Sequence, residues 1–106
     1  MAATVYRFMD ARMLMNLVAG NWASFETERE SDEPFESDGL LAVDIPWVRF
    51  TADEDAARRG AGCRGGIVHL DIGALVEDED YLSEADHVYV MADVLIGEPV
   101  SIELKP

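Results

Sequence analysis

The stretch from His87 to Leu104 (HVYVMADVLIGEPVSIEL) constrains the fold more than any other part of the chain. Between Val88 and Ile96 nearly every residue is apolar, so an extended chain would present two apolar faces. Such an alternating run is typical of a strand buried on both sides, in the interior of a sheet. Gly97-Glu98-Pro99 interrupts the run, and the renewed alternation of Val100–Leu104 predicts a shorter partner strand. Within the long run, Asp93 is the one charged residue.

The rest of the chain predicts short strands and two short helices. Asp10 can cap a helix over Ala11–Ala19, which Gly20 would end. The capping-box pattern that begins at Thr51 predicts a second helix over Ala52–Arg59. The predicted strands are Thr4–Phe8, Asn21–Phe25, Leu40–Ile45, Trp47–Thr51 and Ile67–Ile72.

These elements predict a fold of the α+β class. A chain of 106 residues that is 49% hydrophobic can bury one core without disulfides. We therefore expect one compact domain over residues 1–106. Its architecture would be a small mixed sheet with a central hydrophobic C-terminal strand and two short helices.

The charge of the chain limits the classes of function to consider. Twenty-two acidic residues against eight basic ones give a net charge of −14, and Lys105 is the one lysine. Direct binding of nucleic acid through its phosphates needs the opposite sign. Such a surface instead attracts basic proteins, including those whose grooves normally hold nucleic acid. The same acidity also fits mere solubility or a salt-rich habitat.

The acidic residues are concentrated in two runs, which makes a directed field rather than an even one. The first run is an expected exposed loop over Glu26–Asp38, and the second begins at Glu77. As partner-binding candidates we take Glu26, Glu28, Glu30, Asp32, Glu33, Glu36, Asp38, Glu77, Asp78, Glu79 and Asp80.

The sequence signals for metal binding, acid–base chemistry and phosphate binding are weaker. Cys63 is the single cysteine, and no Cys/His pair has zinc-ligand spacing, so we expect no metal or cofactor and a reducing, cytoplasmic compartment. His69 and His87 could form an acid–base or metal pair, but ordinary half-buried histidines explain them as well. The glycines of residues 60–66 follow a helix and precede a strand, the reverse of a phosphate-binding loop. No stretch is long enough for a membrane span.

Three short motifs in the chain are VYRF near the start, WVRFT, and VMADVLIGEPV near the end. In this order they resemble the first motif, the second motif and the closing strand of ADP-ribosyltransferase-like proteins. The resemblance implies that Arg7 contacts NAD, that Thr51 supports the pocket, and that Asp93 stands where the catalytic Glu belongs. Asp is one methylene shorter than Glu, so the resemblance suggests a binding-only descendant rather than an enzyme.

A second resemblance concerns the N-terminal part. YRFMDARMLMNLVAG and SDEPFES resemble an uncharacterised bacterial and phage family that begins with a Tyr-Lys-Tyr-like strand and carries Asn-Asp-Pro-Phe-Glu. In size and charge the chain also looks like small phage-encoded inhibitors of restriction or CRISPR complexes. Three functions therefore stay open: a nucleic-acid mimic that occupies a basic protein or nucleoprotein complex, an NAD-using transferase-like protein, and an acidic accessory domain.

Overall fold

The computed structural model of the chain describes residues 3–29, 36–37, 40–41, 45–60 and 64–105. A short 3-10 helix, Trp22–Ser24, follows the first helix. The strands are β1 (Thr4–Asp10), β2 (Glu36–Ser37), β3 (Leu40–Leu41), β4 (Trp47–Thr51), β5 (Gly65–Asp71), β6 (Tyr81–Glu84), β7 (His87–Met91) and β8 (Ser101–Lys105). The helices are α1 (Ala11–Ala19), α2 (Glu54–Arg59) and α3 (Ala92–Gly97).

Six of the strands form one sheet in the order β6-β7-β4-β1-β5-β8. Every pairing within it is antiparallel. The short strands β2 and β3 form a separate antiparallel pair. The predicted α+β class is confirmed, with three helices among the described residues where two were expected.

The main core lies on one face of the sheet. Alternate residues of its strands are buried there against α1, the 3-10 helix and α3, as the twofold periodicity of strands requires. Among the larger members are Met9, Phe50, Leu70, Val90 and Leu95. The opposite face carries α2, which packs against β1 and β4, and a smaller apolar cluster of Trp47, Tyr89 and Met91.

The predicted strand Val88–Ile96 is right in its first half and wrong in its second. His87–Met91 is an interior strand between β6 and β4, whereas Ala92–Gly97 is helical. The ladder with β4 ends where the Ala92 N–H donates to the Pro46 carbonyl, 2.9 Å away. Because proline has no N–H, pairing cannot continue past this point. Ala92 and Leu95, three apart, are then fully buried by the helix.

Two further expectations are wrong. Val100–Leu104 does form a strand, shifted by one residue, but β8 pairs with β5 at the far edge of the sheet and not with β7. The predicted strand Asn21–Phe25 is a 3-10 helix. Its turn buries Phe25 and packs Trp22 on the main core, which a strand of the same residues would place on opposite faces.

The residues that cap α1 are those predicted from the sequence. The Asp10 side chain accepts a hydrogen bond from the Met13 N–H at 2.8 Å, and Gly20 ends α1 with φ 74°. The second helix begins later than expected, because Asp53 rather than Thr51 caps it. Among the described residues, no helix is long and apolar enough to cross a membrane.

Candidate functional sites at the β6 edge and between β1 and β4

The second acidic run surrounds β6, an edge strand of the sheet. The turn that precedes β6 is tied by backbone hydrogen bonds from Asp78 to Tyr81 and from Asp80 to Val76. The Asp80 carboxylate accepts a further bond from the Val76 N–H at 2.8 Å. Asp80 therefore holds the turn in shape and is half-buried.

The neighbouring carboxylates of this turn are free to meet a partner. Glu77, Asp78 and Glu79 are exposed, and none of them forms an ion pair with any described residue. Asp86, in the turn between β6 and β7, is also exposed. We call Glu77, Asp78, Glu79, Glu84 and Asp86 the acidic edge. Its carboxylates lie on the two turns that flank β6 and, for Glu84, on the strand itself, and not on a loose loop.

Arg29 connects the first acidic run to this edge. Its Nε and Nη2 both donate to Glu84 Oε1, at 3.1 and 2.8 Å, across 55 positions of sequence. The same guanidinium lies over the Trp47 ring, 5.7 Å from its centroid, which adds a cation–π attraction. Arg29, the fourth residue of the first run, therefore lies beside β6.

Glu28 has a structural role within the sheet. Strands β1 and β4 pair at one position, Tyr6 opposite Thr51. Beyond it, residues 27–28 bond β4 instead: the Glu28 N–H donates to the Trp47 carbonyl at 2.7 Å. The Glu28 carboxylate accepts from the Arg49 N–H at 3.0 Å and from Arg7 Nη2 at 2.6 Å. Glu28 thus bridges the two strands.

The separation of β1 and β4 leaves a cleft of about 220 Å³ between them, under α2. Arg7 and Arg49 lie on its two sides, and His87 of β7 and the Thr51 side chain lie at one end. Tyr6 and Phe8 contribute aromatic surface. The cleft therefore combines cationic and apolar groups on a protein that is otherwise strongly acidic.

The remaining arginine pairs lie on the α2 face. Arg58 forms ion pairs with Glu54 and with Glu103 of β8, and Arg59 lies 3.8 Å from Asp53. The hydrogen bonds that Arg58 donates to Glu103 and, to a smaller extent, to Glu54 raise the pKa of Arg58 above its ordinary value. Each of these pairs neutralises a basic side chain within the molecule.

The residues of the transferase-like resemblance are only partly brought together. Arg7 and Thr51 line the same cleft, whereas Asp93 does not. Asp93 lies in the first turn of α3, and its carboxylate accepts from the Val94 N–H at 2.8 Å. Arg7 is already paired with Glu28. The expected closing strand around Asp93 is helix, so this part of the resemblance does not extend to the structure.

The two histidines are separated by strands β4 and β1, which lie between β7 and β5 in the sheet. His69 of β5 packs edge-on against Tyr6, with ring centroids 5.0 Å apart, and His87 packs similarly against Tyr89. In the part of the chain that the structure describes, no group of three or more His, Cys, Asp or Glu residues could hold a metal ion.

Several first-run candidates cannot be placed. Glu30, Asp32, Glu33 and Asp38 lie outside the described residues, as does Cys63, while Glu36 begins β2. Glu26 is exposed. Sequence reasoning missed Arg29, Glu84, Arg49 and the cleft role of His87, since nothing local marks contacts across 21 to 55 positions.

Comparison of the chain with protein-family models, with curated proteins and with solved structures found no match.

Proposed function

We propose that this chain is an acidic binding protein whose acidic edge occupies a basic protein surface that otherwise holds nucleic acid. The observation that carries the proposal is the Arg29–Glu84 contact, which brings one residue of the first acidic run to the edge of the sheet where the second run lies. The partner would be a basic intracellular protein or nucleoprotein complex, in keeping with a single cysteine. An inhibitor of a nucleic-acid-dependent enzyme is the role that this binding would serve.

The geometry of the edge supports this proposal. Carboxylates fixed on ordered turns lose less conformational entropy on binding than carboxylates on a loose loop. Arg29 is only 10% exposed, so it contributes little positive charge to the surface that a partner would meet. Each exposed ion pair contributes at most about 1 kcal/mol, so affinity would come from several carboxylates that act together.

Variants of the edge test the proposal. The immobilised protein would be incubated with lysate of its source cells at about 0.05 M and 0.5 M salt, a range over which exposed charges become screened. We expect nucleic-acid-binding proteins to be retained at the lower salt and to be displaced by duplex DNA. The Kd of the purified partner would then be measured for Glu77→Gln/Glu79→Gln, whose side chains are exposed.

A matched variant separates the edge from the overall charge. Asp71→Asn/Glu98→Gln also removes two negative charges, but Asp71 ends β5 and Glu98 leads to β8, in the other half of the sheet. We expect the edge variant to weaken binding about tenfold and the matched variant to change it less than twofold, since each pair contributes up to about 1 kcal/mol. Equal losses in the two variants, or capture that DNA does not reverse, would contradict the proposal.

A further inference from the structure

Two buried side-chain nitrogens in the described part of the chain have no hydrogen-bond partner: Arg7 Nε and His87 Nδ1. Buried polar atoms in proteins are normally satisfied, so each such atom needs an explanation. Both residues line the cleft between β1 and β4. The two residues that carry these unpaired atoms line one cleft, and a ligand bound there would lie beside both of them.

The chemistry of the lining selects the kind of ligand. Arg7 Nε is a donor only, and a histidine nitrogen donates in the protonated form or in one neutral tautomer. The Thr51 hydroxyl already accepts from the Asp53 N–H at 3.1 Å, so its hydrogen is available to donate. A ligand that presents acceptor oxygens matches this set.

Charge narrows the choice to an anion. Arg49 is exposed at the cleft and forms no ion pair with any described residue, although acids outnumber bases almost three to one. Arg7 uses Nη2 for Glu28 and keeps Nε unpaired. A guanidinium group matches a carboxylate in a bidentate pair, and both Arg7 and Arg49 line the cleft.

The size of the cleft and its apolar wall narrow the choice of ligand further. The cleft of about 220 Å³ is smaller than the roughly 300–1,000 Å³ of drug-sized sites. Tyr6, Phe8 and Ala57 supply apolar surface around the polar end. We propose that the cleft between β1 and β4 binds a small organic carboxylate, with its carboxylate between Arg7, Arg49 and His87 and its apolar body against Tyr6 and α2.

The proposal can be tested with benzoate as the probe. The ¹⁵N-labelled protein would be titrated with benzoate at a constant ionic strength of about 0.15 M, so that screening does not change during the titration. We expect saturable shifts at the Thr51 amide and the His87 ring nitrogens, with a Kd of about 1 mM for a ligand of this size. Benzyl alcohol, which keeps the ring but lacks the charge, and acetate, which lacks the ring, should each bind at least tenfold more weakly.

Arginine variants distinguish binding in the cleft from non-specific attraction of anions to the protein. Arg49→Gln should weaken benzoate binding about tenfold, the usual effect of removing one charge-assisted hydrogen bond. Arg64→Gln removes the same charge from an exposed arginine outside the cleft and should leave the Kd unchanged. His87→Gln is informative if circular dichroism shows a folded protein, and Arg49→Gln carries the test in either case because Arg49 is exposed.

The absence of saturable shifts would overturn the proposal, as would benzyl alcohol or acetate binding as tightly as benzoate. Equal weakening by Arg49→Gln and Arg64→Gln would also overturn it.

Discussion

The carboxylate of Glu28 joins two strands where the backbone ladder between them stops. It accepts from the guanidinium of Arg7 and from the Arg49 N–H, and the two ion-paired side chains are only 24% and 22% exposed. A half-buried charge that loses its partner keeps its desolvation cost and gains nothing in return. At the residue scale, this one side chain therefore stabilises the separated arrangement of β1 and β4.

Glu28→Ala tests this role. Loss of the carboxylate leaves the Arg7 charge and the Arg49 N–H without their partner, and we expect the free energy of unfolding to fall by about 2 kcal/mol. Urea denaturation followed by circular dichroism would measure it. Glu26→Ala, at an exposed position of the same run, should change stability by less than about 0.5 kcal/mol. Similar small effects of both substitutions would show that Glu28 is only a surface acid.

The β6–β7 hairpin shows how a local element is strained. Glu84 pairs with His87, so Ala85 and Asp86 form a two-residue turn, and Ala85 has φ 53°. An L-residue other than glycine in this left-handed region costs about 1 kcal/mol. Hairpin turns of this length favour glycine for that reason.

Ala85→Gly should accordingly stabilise the protein, by about 0.5–1 kcal/mol, because glycine adopts positive φ without a steric penalty. Thermal unfolding would register the change as a higher Tm. Ala74→Gly is the matched control, since Ala74 is also exposed but has no positive φ, and it should leave the Tm equal or lower. A lower Tm for Ala85→Gly would argue against strain at this turn.

At the scale of the whole molecule, net charge opposes folding. A charge of −14 on a chain of 106 residues produces self-repulsion that the compact state increases. The ion pairs of the described residues are mostly exposed, and such pairs contribute little. Repulsion among the remaining acids should therefore exceed the attraction that the pairs supply.

We expect added salt to raise the Tm of the protein. Between about 0.02 M and 0.5 M NaCl the Debye length falls from roughly 20 Å to below 5 Å, which screens repulsion across the surface. Differential scanning fluorimetry would follow the Tm, and KCl at equal ionic strength would distinguish screening from binding of a particular cation. A Tm that falls with salt would mean that the ion pairs outweigh the repulsion.

The sequence alone determined the features that depend on neighbours a few positions apart. Asp10 and Gly20 cap the two ends of α1 as predicted, and Trp47–Thr51 is a strand as predicted. Both follow from the sequence because capping and twofold periodicity are local properties. The charge of −14 and its concentration in two runs also follow from the sequence without any structure.

Only the tertiary structure decided the rest. Residues 92–97 have an apolar pattern that suits a strand or a short helix. The ladder between β7 and β4 ends beside them, because Pro46, just before β4, has no N–H to donate. Glu28 and Glu79 belong to similar acidic runs, yet one is held between β1 and β4 and the other is exposed. The cleft exists because two strands distant in sequence separate after Tyr6 and Thr51. Long-range contacts of this kind depend on how the whole sheet packs, which no local pattern of residues encodes.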